Sequence, residues 1–174
     1  MLNNLRIAIS SKSGCGNSTV SGMLSRKLGL KLINYTFHDL AEEKKINFEE
    51  LCLLAEDDDK YDLFVDKRQV ELAASGKCIM ASRLAIWLLK NSDLKVYLEA
   101  SPQVRADRIA GREGLNVEEA LTAMANRDKR DHQRYLRLYG IDIDKYDFVD
   151  LVVDTEKGDQ FYVVNQIIRK VKNI

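Results

Sequence analysis

The chain has 174 residues, of which 45% are apolar and 31% charged, and its 27 Lys and Arg are matched by 27 Asp and Glu. That length and apolar content fit one domain with its own core and exclude a disordered chain. A formal net charge of zero argues against a general nucleic-acid or membrane surface, and no apolar run is long enough to span a bilayer.

Met1–Arg6 lacks the apolar centre of a signal peptide, so a cytoplasmic protein is expected. Cys15, Cys52 and Cys78 are odd in number and show no metal-ligand spacing. They read as reduced thiols, Cys15 as a small residue tolerated in its loop rather than a catalytic thiol.

Leu5-Arg6-Ile7-Ala8-Ile9 fits a buried strand. The small-residue stretch Ser10-Ser11-Lys12-Ser13-Gly14-Cys15-Gly16 follows, and then Val20, Met23, Leu24 and Leu28 recur at helical spacing up to Gly29. Strand, glycine loop and helix in that order make a phosphate cradle. Glycines let successive amides converge on one anion, and the helix start adds unpaired N–H groups and a positive dipole end. Aligned on Gly16, Ser18 takes the P-loop position whose hydroxyl binds Mg²⁺, whereas Ser11 and Asn17 replace the pattern's first glycine and its lysine. A plain Gly/Ser turn is the alternative at this point.

Leu30–Ile33 reads as a second strand and Phe37–Glu43 as a helix. Asn47-x-x-Glu50 resembles a capping box, Asp57-Asp58-Asp59 a solvated turn, and Lys60 to about Gly76 a longer helix. Lys77–Ala81 and Leu94–Leu98 are further strands. Ser101-Pro102 opens a helix, Asn116-x-x-Glu119 caps a long one ending at Gly140, Phe148–Val153 is a fifth strand, and Phe161, Val164, Ile168 and Val171 mark a closing amphipathic helix. Strands alternating with helices predict a parallel sheet covered on both faces, with ligands beyond the carboxyl ends of the strands.

Moving a charged phosphoryl group requires positive charge around it, and the arginine fork suits phosphate oxygens. Arg83 stands just past a strand end in an apolar stretch, which calls for an anion or a buried partner. Arg127, Arg130, Asp131 and Arg134 share one helix face, either a self-paired surface or a lid that folds over phosphates. Asp62, Asp66 and Gln69 share another, with Arg68 beside them, and either bind a sugar or base or merely solubilise the helix. Arg105, Arg108 and Arg112 read as a solvated row, with a place near a nucleotide as the alternative for one of them. His38 and His132 show no partners for a metal or a catalytic triad.

Read together, these stretches resemble the cytidylate kinase-like family, in its short archaeal-type form. The carriers are the loop Ser13–Thr19; Asp62-x-x-x-Asp66-x-Arg68-Gln69; Ser82-Arg83-Leu84-x-x-Trp87; Ala106-x-Arg108-Ile109-Ala110-x-Arg112-Glu113-Gly114; Arg134-Tyr135 with Tyr139-Gly140-Ile141-Asp142; and Asp150-Leu151-Val152-Val153-Asp154-Thr155. The resemblance implies an α/β three-layer P-loop NTPase fold with a five-stranded parallel sheet. It would form one kinase domain over 1–174, with a helical monophosphate-binding subdomain at 35–76 and a lid at about 112–140. It implies transfer of the ATP γ-phosphoryl to CMP or dCMP with Mg²⁺, by a protein whose size is compatible with a monomer.

By that resemblance Ser13, Gly14, Cys15, Gly16, Asn17, Ser18 and Thr19 hold ATP, and Ser18 the metal. Arg83, Arg127, Asp131 and Arg134, with His38, Asp62, Asp66 and Arg68, hold the acceptor, and Arg127, Arg130 and Arg134 act on the transferring phosphate. Lys12 is the expected substitute for the missing lysine, while Ala81-Ser82 stands where relatives carry Glu-Gly. Two other readings remain: a nucleotide-binding protein without catalysis, and a kinase for another acceptor such as UMP or a small alcohol.

Overall fold

In the computed structural model, which describes residues 4–174 apart from the side chains of Glu56 and Asp57, Arg6–Ser11 forms the central strand β1. The N-terminal Met1–Asn3, part of the segment read for a signal peptide, lies outside the described residues. After β1 come α1 (Asn17–Leu28), β2 (Lys31–Ile33), α2 (Phe37–Lys44), α3 (Phe48–Asp57), α4 (Lys60–Ala73) and β3 (Cys78–Ala81). The chain continues through α5 (Ala85–Leu88), β4 (Leu94–Glu99), α6 (Pro102–Glu113), α7 (Val117–Tyr139), β5 (Leu151–Asp154) and α8 (Gln160–Val171). The strands pair in the order β2-β3-β1-β4-β5, all parallel, with Ile7 opposite both Ile79 and Leu94.

Alternation along the strands decides the layers. Ile7, Ile9, Ile79, Val96 and Leu98 face Val20 and Leu24 of α1 and Val164 and Ile167 of α8. Ala8, Met80 and Tyr97 point the other way, under Ala73 of α4 and Ala85 and Ile86 of α5. Both faces of the central strands are therefore covered, and each fully buried Ile or Leu contributes roughly 1.5–3 kcal/mol.

Most boundaries follow local chemistry. The side chains of Ser101, Asn116 and Asp159 accept from backbone N–H groups at the starts of α6, α7 and α8. Three details depart from the sequence reading. The reciprocal capping box belongs to Thr36 and Asp39 at α2, whereas Asn47 caps α3 by accepting from the amides of Glu49 and Glu50. β5 starts at Leu151 rather than Phe148, because Tyr146–Val149 closes a turn first. The short α5 was not expected; the buried Ser10 hydroxyl anchors it by accepting from the Ile86 amide at 3.1 Å.

Helix α7, about 34 Å long, spans the molecule. Its first half packs Ala120 and Met124 on Ala106, Ile109 and Ala110 of α6. Its second half packs Tyr135 on Leu84 and Ile143. Helices α2 to α4 carry a small core of their own, Leu40, Ala41, Leu51 and Val65. Three side-chain ties join α7 to α4 and its start. Arg137 pairs with Asp59, Arg134 with Asp62 at 3.3 Å, and the Tyr139 hydroxyl donates to Asp66 at 2.7 Å. The acidic run is thus not merely solvated: Asp59 holds α7, and Asp58 pairs with Lys60.

Burial pushes the Asp66 carboxyl up to about 6, against the opposing hydrogen bond from Tyr139. The unfolded chain ionises this group near 3.9. Between those values the native state keeps a proton that the unfolded state has lost, so Asp66 lowers stability as pH rises through this window. Asp66→Asn still accepts from Tyr139 and carries no charge to bury. Its thermal midpoint should exceed the parent's above pH 6, and the two should converge near pH 4. Midpoints that differ equally at every pH would refute this assignment.

Candidate active site

The carboxyl end of β1 delivers Lys12–Gly16 to the crevice between β3 and β4. Gly14 and Gly16 both take left-handed backbone, with φ of +83° and +85°. Gly14 also lies hard against α6: a Cβ there would stand 2.8 Å from the carbonyl oxygen of Arg105 and 2.9 Å from its Cβ. α1 begins directly after Gly16, so its first amides face the same hollow.

That hollow is a cleft of about 650 Å³ lined by the loop, Ser82, Arg83, Arg108, Arg112, Arg127, Thr155 and Asp159, among others. Its walls carry several guanidinium groups, which gives it the charge and shape for polyanions. Ser18 and Thr19 are exposed at its floor. Asn17 turns back: its Nδ2 donates to the Ile9 carbonyl at 3.4 Å, and its buried Oδ1 has no hydrogen-bond partner among the described residues. Cys15 is 2% exposed, and burial pushes its thiol up more than Arg105 and Arg108 pull it down. It is packing, as the sequence suggests.

Arg83 leaves the end of β3 and donates to the Ser13 hydroxyl and to the Asp131 carboxylate of α7. Burial pushes its guanidinium down from the usual value, yet it remains the cation of this pair. Asp131 is 8% exposed and also accepts from Arg134 at 3.1 Å, while Arg134 reaches Asp62. One carboxylate thus gathers two arginines beside the phosphate cradle. Asp62 is buried, and burial pushes its carboxyl up. Gln69 is buried with an Oε1 that lacks a partner among the described residues.

Lys12 lines the cleft with its Nζ 2.5 Å from Asp144. The Lys12 ammonium is the main reason the Asp144 carboxyl falls below the usual range, and Asp144 also meets His132 Nδ1 at 2.9 Å. His132 therefore has acidic partners, Asp144 and Asp142, that its sequence neighbours do not reveal.

The remaining expected residues lie elsewhere. Arg130 is exposed over a neighbouring hollow between α6 and α7, which also touches Arg127 and Ser13. Arg68 is half-buried between Glu43 and Glu71. His38 is exposed on α2 and stacks on Phe48 at 3.6 Å. None of these three lines the cleft, and neither do Asp62, Asp66, Asp131 and Arg134, of which Asp131 meets it through Arg83.

The solvated arginine row is corrected at Arg105, whereas Arg108 and Arg112 are exposed and line the cleft. Arg105 is 5% exposed, donating from Nε to the Ser13 carbonyl at 2.6 Å and from Nη2 to Asp128 at 2.7 Å. Arg108 donates to the Gly14 carbonyl at 3.3 Å and to the hydroxyl and carbonyl of Thr155 at 2.8 and 2.9 Å. The signal was available: Arg105 lies on the stripe of α6 that carries Ala106, Ile109 and Ala110 into the core, and a charge on an apolar stripe needs a buried partner.

The two loop glycines should respond differently to a methyl group. Gly16→Ala suffers backbone strain alone, about 1–2 kcal/mol, because its Cβ would meet open space. Gly14→Ala adds a collision with α6 and should cost clearly more in urea unfolding. Equal costs would contradict the close approach.

Comparison with known proteins identifies the family. The cytidylate kinase-like family matches residues 6–157. "Cytidylate kinase 2" of Borrelia garinii subsp. bavariensis is 48% identical over 154 residues, 86% of each chain. "Cytidylate kinase" of Pyrococcus horikoshii is 41% identical over 155 residues, 88% of this chain and 81% of the relative. In three dimensions the shikimate kinase of Bacteroides thetaiotaomicron superposes with a TM-score of 0.65 over 98% of this chain and 99% of its own, at 14% identity, a likeness of P-loop kinase fold. The family model spans the glycine loop, Arg83 and α7 together, and with the relatives' identity it shows that the chain belongs to the cytidylate kinase-like family.

Proposed function

We propose that this protein transfers the γ-phosphoryl of ATP to CMP or dCMP, giving CDP or dCDP. The observation that carries the reading is the convergence of Arg83 and Arg134 on the Asp131 carboxylate beside the glycine loop. An acceptor phosphate is an anion of the same kind as that carboxylate, and two arginine forks suit it better than one. In this reading Ser13–Thr19 cradle the donor phosphates through their amides. Arg83 and Arg134 grip the acceptor, and Arg127, on the cleft wall, neutralises charge on the transferring group. Arg130 joins it when the helices at 112–140 close as a lid.

Helices within 35–76 would form the monophosphate-binding subdomain, with Asp62, Asp66, Arg68 and His38 toward the nucleoside. No general base is needed, since the acceptor oxygen is already anionic, so alignment and charge neutralisation carry the rate. The cleft suits Mg²⁺ that arrives on the nucleotide and keeps most of its waters. Ser18 offers a hydroxyl, and the buried Ser82 Oγ has no partner among the described residues. When bound, the ion would withdraw charge from the donor phosphates.

Asn17 supplies no positive charge, and Lys12 is the lysine on the cleft wall that could replace it. Its pair with Asp144 would have to open for it to reach a phosphate. That cost, and the replaced lysine, favour as a second reading a protein that binds nucleotides without turnover.

The test is ADP release from ATP and Mg²⁺ in the presence of CMP, dCMP, UMP, AMP or shikimate. Release driven by CMP or dCMP is expected. ATP binding with no acceptor-driven release would move the assignment to the second reading, and a preference for UMP or shikimate would change the acceptor. Lys12→Ala should lower turnover about 100-fold, the usual loss when one preorganised donor is removed, and near-normal turnover would exclude Lys12.

A further inference from the structure

We infer that Arg105, braced by Asp128, is a positioning residue that aims the amides of the glycine loop at the donor phosphates. A trans peptide is planar, with its C=O and N–H pointing in opposite directions. The Ser13 carbonyl and the Gly14 amide belong to one such unit. With the carbonyl drawn onto Arg105 Nε at 2.6 Å, the Gly14 N–H points away from α6, into the cleft. The next unit is treated the same way: Arg108 takes the Gly14 carbonyl at 3.3 Å, which sends the Cys15 N–H to the same side. Left-handed backbone at Gly14 and its contact with Arg105 leave this loop little other room.

Asp128 fixes the direction from which Arg105 pulls. Its Oδ2 accepts from Arg105 Nη2 at 2.7 Å, while its buried Oδ1 has no partner among the described residues. The guanidinium fork serves both partners at once, whereas a lysine ammonium on a flexible stem has no such fixed fork. Arg105 lies beneath the loop and not in the cleft lining, so it acts through the Ser13–Gly14 peptide and touches no substrate. This inference rests on the reading that the loop holds a donor nucleotide.

The experiment compares the parent with Arg105→Met/Asp128→Asn, which removes both charges of the pair together, with Arg105→Lys, and with Asp128→Asn alone. Kd values for ADP and for CMP are measured by calorimetry, with thermal midpoints and the nucleotide-free ¹³C′ shift of Ser13. For the double variant the ADP Kd should rise at least about tenfold and the CMP Kd change less than about twofold, as expected for lost preorganised donors. The Ser13 carbonyl shift should move, and Arg105→Lys should recover only part of the ADP affinity.

ADP and CMP weakening together in step with a falling midpoint would reduce Arg105 to a structural role and overturn the inference. Full recovery by Arg105→Lys would do the same, since charge alone would then suffice. If the double variant does not fold, Asp128→Asn decides: an ADP-specific loss supports the inference and unchanged ADP affinity defeats it. A parent that binds no ADP would defeat the donor reading instead. An unmoved Ser13 carbonyl in Asp128→Asn would defeat the positioning of that peptide whatever the loop binds.

Discussion

Ser13 is held from two sides. Its hydroxyl accepts from Arg83, which comes off the end of β3, and its carbonyl accepts from Arg105 of α6. Each arginine is in turn held by a carboxylate of α7, Arg83 by Asp131 and Arg105 by Asp128. Those acids lie three residues apart, on one side of the helix. A single residue of the phosphate loop is therefore tied to two strand ends and two helices. Breaking one partner out of such a part-buried ion pair is destabilising, because the other charge is left stranded. Replacing both by apolar groups costs far less, so the pairs specify an arrangement more than they supply stability.

The same helix is also tied to α4 and its start. Arg134 bridges Asp131 and Asp62, Tyr139 meets Asp66, and Arg137 meets Asp59. A 23-residue helix is a stiff rod on this scale. A tilt that relaxes Asp128 and Asp131 at the loop must also disturb the contacts with α4. The ties at the glycine loop and those at α4 thus share one mechanical element, and a ligand that prefers one tilt biases both.

Much of this was legible in the residues because it is local. Ser101-Pro102, Asn116, Gly29 and Gly140 set helix ends through chemistry within one turn, and strand alternation set the layers. Gly14 and Gly16 marked the loop despite the altered residues around them. The buried arginine was not legible that way. Its partners lie 92 residues before it and 23 after it, so no sequence window contains the pairing. What the sequence does hold is the anomaly. Arg105 on the stripe of α6, Asp128 on the stripe of α7, and Asp62 and Gln69 in register with Val65 and Ala73 are polar residues where apolar ones belong. The capping box at Thr36 was missed for a different reason: Asp39 completes it in place of the more usual Glu or Gln.

Burial also sorts the three thiols. Cys15 and Cys78 are sealed in the two halves of the sheet core, and burial raises both thiols, which keeps them in the unreactive form. Cys52, half-buried on α3, is the accessible thiol of the three. A maleimide dye would therefore attach to the small helical unit and leave the phosphate loop untouched. The native chain thus carries a built-in labelling handle on that unit, away from the sheet.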